Sequence, residues 1–108
     1  MIYRVVYTDA AHAQIRAQVA YFRRERVSGR TVDNWLNKLF DLMDSLCEWP
    51  KRFAVSERET AARKREIRKV NFGDYLVFYC VSDERQLVEI VGFRHGAKAD
   101  EEHDPATE

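Results

Sequence analysis

The chain has 108 residues, with 18 Lys and Arg balanced by 18 Asp and Glu, 45% hydrophobic residues and 12% aromatics. That length and apolar content suit one folded domain that removes roughly two-thirds of its unfolded-chain surface from water, and they exclude a disordered chain. No apolar run approaches the ~18 residues of a membrane span, the opening MIYRVVYTDA has no signal-peptide pattern, and Cys47 and Cys80 lack metal-type spacing.

These exclusions set the expected class: a cytoplasmic protein without membrane association, metal or cofactor. Both cysteines are expected to be small core residues.

IYRVVYT is a short β-rich run with Ile2, Arg4 and Val6 on one side and Tyr3, Val5 and Tyr7 on the other. Thr8 or Asp9 can offer an oxygen to an orphan helix amide. From Ala10 the period turns helical, with Ala11, Ile15, Val19 and Phe22 on one face and Gln14, Arg16 and Arg23 elsewhere. The pattern weakens through RRER, and Ser28-Gly29 predicts a C-terminal stop. Thr31 predicts the cap of a second helix. Its apolar stripe runs through Val32, Trp35, Leu36, Leu39, Leu42, Met43 and Leu46 and ends at Trp49-Pro50. Two amphipathic helices joined by a few residues make a hairpin that must bury its shared face.

Residues 51–65 read either as a basic loop or as the opening of the next strand; the span 51–69 holds eight basic residues and three glutamates. REIRKVNF, YLVFYCV and LVEIVGF predict three strands joined by GD and SDERQ, connections short enough for antiparallel hairpins. The last two runs are apolar on both faces, which marks central strands. Residues 100–108 contain five acids and no Lys or Arg, so the rest of the chain carries 18 basic against 13 acidic residues, or +5. The basic excess suits an anionic partner, and the acidic end reads as a solvated tail. The expectation is an α+β domain over 1–99, ordered β-α-α-β-β-β, with a helical hairpin on a small, mainly antiparallel curved sheet. An acidic tail follows over 100–108.

This order, with YRVVYTDAAHAQI, LFDLMDSLCEWPKRF, EIRKV…GDYLVFYCV and VEIVGFRHGAK in their places, resembles the RelE/ParE superfamily of bacterial toxin–antitoxin toxins over about residues 2–98. The resemblance implies a small toxin held inactive by an antitoxin from the neighbouring gene. It leaves two activities open: cutting messenger RNA on the ribosome, as RelE-like members do, or binding and poisoning DNA gyrase, as ParE-like members do.

A metal-free ribonuclease needs a base, an acid and Arg or Lys clamps at one locus. RelE-like chains typically supply an Arg shortly after the hairpin glycine, in an Arg-apolar-apolar-Tyr run, and a C-terminal Arg or Lys with a Tyr. Here LVFY puts Leu76 at the Arg position, and no tyrosine follows Tyr79. His95 matches the His of a His-Tyr pair, but Gly96 replaces its Tyr. The candidates left for a nuclease are Arg68 as a phosphate clamp, Tyr79 as a proton donor, Arg94 and His95. Each has a structural alternative, as a sheet-edge Arg, a core aromatic, or residues ending a strand.

RHGAK instead resembles the His-Gly-Ala-Arg/Lys strand end frequent in ParE-like toxins. The resulting expectation is a ParE-like toxin that acts by binding gyrase, with the ribosome and its mRNA as the alternative target, in a hetero-oligomer with its antitoxin. The candidate partner-binding residues are Arg16, Arg23, Arg24, Trp35, Trp49, Arg68, Arg94, His95 and Lys98. Tyr3 and Tyr21 are further candidates for an aromatic groove that receives an antitoxin segment folding on binding.

Overall fold

The computed structural model describes residues 2–96. Its elements run β1 (Arg4–Tyr7), α1 (Asp9–Arg24), α2 (Gly29–Asp44), α3 (Glu57–Arg63), β2 (Arg68–Phe72), β3 (Tyr75–Ser82) and β4 (Leu87–His95). Two short 3-10 turns, Ser45–Cys47 and Pro50–Arg52, lie between α2 and α3. The α+β architecture is the one the sequence predicts, with a third helix added.

The four strands form one mixed sheet in the order β1-β4-β3-β2. Gly73, at φ 57°, turns β2 back on β3, a left-handed conformation that glycine adopts without a Cβ clash. β3 pairs antiparallel with β4 from Tyr75↔His95 to Ser82↔Leu87, and β1 joins β4 in parallel from Arg4↔Leu87 to Tyr7↔Ile90. The two strands that read as apolar on both faces are thus the central pair.

The main core lies between the sheet and the α1–α2 hairpin. Ala11 and Ile15 from α1, Leu39 and Met43 from α2, and Val77, Tyr79, Val88, Ile90 and Phe93 from the sheet meet there. Tyr3, Val5 and Tyr7 pack against it, as their predicted shared face requires. The ladder skips Val91 between Tyr79↔Ile90 and Phe78↔Gly92. This bulge reverses the alternation of β4. Phe93 therefore joins Ile90 in the main core, while Val91 joins Ile67 and Phe78 in a smaller cluster on the opposite face.

Three local expectations change. Thr8 caps α1 by accepting from the Ala11 amide, but Ser28, predicted as part of a stop, is the cap of α2 and accepts from the Thr31 amide; Thr31 sits inside the first turn. β2 begins at Arg68, later than REIRKVNF suggests. Residues 57–63 form a helix, so 51–65 is neither a plain basic loop nor the opening of a strand. The signal was present: Ser56 stands three residues before Glu59, the spacing of a helix N-terminus, and its hydroxyl accepts from the Glu59 amide. The expected domain boundary at 99 and the acidic tail over 100–108 lie outside the described residues.

Candidate partner-binding site

A groove of about 630 Å³ runs between α1 and α2. Ile15, Val19, Ala20, Leu36 and Phe40 line it with apolar surface from the two helical stripes. Arg16, Arg23 and Arg24 stand around it, three cations drawn from one helix. One end is shaped by Tyr7, whose ring meets His12 and Phe40 edge-on, each at 5.7 Å. The Tyr7 hydroxyl donates to Asp44 at 2.7 Å, and burial together with that carboxylate raises its pKa. An apolar trough with a basic rim is suited to an amphipathic segment that carries acidic residues beside its apolar anchors. Tyr21, half exposed on α1, lies 6.0 Å from the Arg24 guanidinium and extends this surface.

The residues weighed for phosphodiester chemistry do not converge on one place. Arg68 and Tyr79 are cross-strand neighbours, and both reach the loop after α2. The Arg68 side chain is 15% exposed; its Nη1 donates to the carbonyl oxygens of Phe53 at 2.6 Å and Lys51 at 3.0 Å, and its Nη2 to Glu66 at 3.2 Å. Tyr79 is fully buried, its hydroxyl donates to the Pro50 carbonyl at 2.5 Å, and burial pushes its pKa up to about 12. Arg94 stands on the opposite face of the sheet. Its guanidinium lies 4.9 Å over the Phe78 ring and donates to Glu59 at 2.6 Å. His95 ends β4 exposed, edge-on to Tyr75 at 5.1 Å. Leu76 pairs with Arg94 across β3 and β4.

The aromatic candidates also separate. Trp35 is half-buried, ringed edge-on by Phe22, Phe72, Tyr75 and Phe93 at 5.1–5.7 Å. Trp49 is 79% exposed. Lys98 lies outside the described residues. Among the described residues no cluster of His, Cys, Asp or Glu could hold a metal, and no helix is long and apolar enough to cross a membrane.

Sequence reasoning missed several working residues. Glu59 is nearly buried between Arg94 and Arg63. Burial opposes its ionisation, but the two guanidinium groups outweigh burial and lower its pKa. Gln14 accepts from the Phe93 amide at 2.7 Å, closing the edge of β4 beyond the point where β1 stops. Arg52 donates to the Glu48 carbonyl at 2.6 Å and to the Ser45 hydroxyl at 2.9 Å. The Ser56/Glu59 spacing and the Glu59–Arg63 pair at i,i+4 had local signatures; the contacts of Glu59 with Arg94 and of Gln14 with Phe93 depend on tertiary placement.

No curated protein matches the chain. Among solved structures, the fold is similar to a chain of the toxin–antitoxin complex RelBE2 from Mycobacterium tuberculosis. The two are 20% identical with a TM-score of 0.57, over 88% of this chain and 99% of that one. The family described as ParE toxin of type II toxin–antitoxin system, parDE, matches residues 5–100. A match over that span, on a sheet and helical hairpin of this order, places the chain in the ParE toxin family of type II toxin–antitoxin systems.

Proposed function

We propose that this toxin inhibits growth by binding DNA gyrase rather than by cutting RNA, and that a cognate antitoxin neutralises it by seating an acidic, amphipathic segment in the α1–α2 groove. The reading rests chiefly on how Arg68 and Tyr79 are used. A ribonuclease of this size needs a phosphate clamp and a proton donor facing substrate, whereas Arg68 and Tyr79 spend their polar atoms on the carbonyls of Lys51, Phe53 and Pro50. Arg94, the second candidate cation, is engaged with Glu59 on the other face. A chain equipped this way acts by occupying a surface of its target.

The antitoxin assignment draws on the groove's rim and on the family. Arg16, Arg23 and Arg24 complement acidic residues, and the apolar lining offers places for anchors. The similar Mycobacterium tuberculosis chain comes from a toxin–antitoxin complex, and the same kind of hetero-oligomer is proposed for this protein.

The test is induction of the chain without antitoxin in a bacterial host, with a gyrase supercoiling assay run beside a translation assay. Gyrase poisoning predicts DNA breaks and filamentous cells while translation continues. Rapid loss of translation with codon-site cuts in ribosome-bound mRNA overturns the reading in favour of a RelE-like endonuclease.

A further inference from the structure

We propose that Trp49 and the hollow beside it form a second binding surface, which seats on a neutral, apolar patch of the protein that the toxin attacks. This rests on the reading above that the chain acts by binding a protein, and it adds where that contact is made. None of the residues lining this hollow lines the α1–α2 groove.

The first observation is the way the indole is displayed. Trp49 lies at φ 48°, ψ 55°, a left-handed conformation that disfavours a bulky side chain, and it is the most exposed large hydrophobic residue among those described. Neither feature helps a fold, since the ring buries little surface and the backbone is strained.

The second observation is how firmly this conformation is held. The Arg52 guanidinium bonds the Glu48 carbonyl at 2.6 Å, the Trp49 carbonyl at 3.3 Å and the Ser45 hydroxyl at 2.9 Å, and it lies 4.7 Å over the Phe53 ring. Buried Pro50 is fixed through its carbonyl by Tyr79, and Arg68 holds the carbonyls on either side of Arg52. Two sheet side chains and one loop arginine therefore lock a turn whose product is an indole standing in water. A rigid exposed Trp loses little freedom on binding, and Trp is among the side chains that dominate interface energetics.

The chemistry of the hollow selects the occupant. It measures about 720 Å³ and is lined by Tyr3, Trp49, Pro50, Lys51, Arg52, Asp83 and Gln86. Lys51 is paired with Asp83, which also accepts from the Tyr3 hydroxyl at 2.7 Å, and both Arg52 terminal nitrogens are spent within the turn. A nucleic acid would bring phosphates to a carboxylate, with both cations that line the hollow already engaged within the protein. A protein surface fits instead, with an apolar recess for the indole and neutral polar groups for the Lys51–Asp83 pair.

The experiment compares the parent with Trp49→Gly and Trp49→Asn, residues that tolerate this backbone conformation and so keep the turn. Growth after induction, capture of the co-expressed antitoxin, thermal melting and sedimentation are measured on each. The expected result is at least a tenfold loss of growth inhibition, with antitoxin capture unchanged and melting equal to or above the parent's. Full toxicity in both variants overturns the proposal. So does lost antitoxin capture, which would assign the indole to the antitoxin, or a clear drop in melting, which would make it structural. A parent dimer that becomes monomeric in the variants makes a second copy the occupant, and quenching of the indole by single-stranded DNA makes it a nucleic acid; each overturns the proposal. A parent that does not arrest growth overturns this inference and the proposed function together.

Discussion

Arg68→Ala separates a residue that holds the fold from one that serves chemistry. Alanine removes two charged-donor hydrogen bonds, to Phe53 at 2.6 Å and to Lys51 at 3.0 Å. Bonds of this type contribute about 1.5–3 kcal/mol each. Two effects offset part of that sum. The Arg68 Nε is buried without a hydrogen-bond partner, so its removal relieves about 1 kcal/mol or more, and the released carbonyls regain water. The pair with Glu66, whose carboxylate is largely exposed, adds little. The net expectation is a loss of about 2–3 kcal/mol. An unfolding entropy of about 2.1 cal/mol/K per residue gives ~0.23 kcal/mol/K for 108 residues, so Tm falls by about 9–13 °C. Circular dichroism melts with a urea titration measure this directly. Tyr79→Phe, which deletes one neutral bond to Pro50, costs about 1–2 kcal/mol. Because both residues hold one loop, the double variant loses less than the sum, by roughly 0.5–1 kcal/mol. A variant of Arg68 that melts within about 2 °C of the parent refutes the reasoning. If it also abolishes cutting of ribosome-bound mRNA, Arg68 is acting on a substrate.

Other expectations follow from the same geometry. Because the Glu59 pKa is depressed in the fold, its contribution is complete above the ordinary value of 4.5 and is lost as pH falls through the folded value. Glu59→Gln therefore destabilises the protein at neutral pH, and parent and variant converge in acid melts; a constant gap at every pH contradicts this. Leu39→Ala, at a fully buried core position, costs about 2–5 kcal/mol in urea unfolding, and a smaller loss would mean that α2 packs loosely. Reversing Arg16, Arg23 and Arg24 to Glu weakens antitoxin binding at least about tenfold in titration calorimetry and removes most of its salt dependence. Unchanged affinity moves the antitoxin elsewhere. Gly73→Ala, at φ 57°, lowers stability by about 1 kcal/mol, read as a small drop in Tm.

Much of the fold could be read along the chain because its signals are local. The Tyr3, Val5 and Tyr7 face, the α2 stripe and the GD turn each depend on a few neighbours. Ser28 was misread because a Ser-Gly pair suits both the end of one helix and the start of the next; the choice depends on which amide the hydroxyl meets. The helix at 57–63 has local signals in Ser56 and the Glu59–Arg63 pair, but the contact that completes the burial of Glu59 comes from Arg94, some thirty residues later in the sequence. The site was less legible than the fold for the same reason. Arg16, Arg23 and Arg24 could be placed together from helical spacing alone. That Arg68 and Tyr79 bind loop carbonyls, and that Trp49 is turned outward, depends on how a distant segment lies across the sheet.

The parallel pairing of β1 with β4 bears on the order in which the fold can assemble. β1 has its hydrogen-bonding partner at residues 87–90, so the sheet closes only after the chain through β4 has been synthesised. A chain that stops before β4 leaves β1 without its hydrogen-bonding neighbour. Synthesis of β4 is thus the step that lets the first strand enter the sheet.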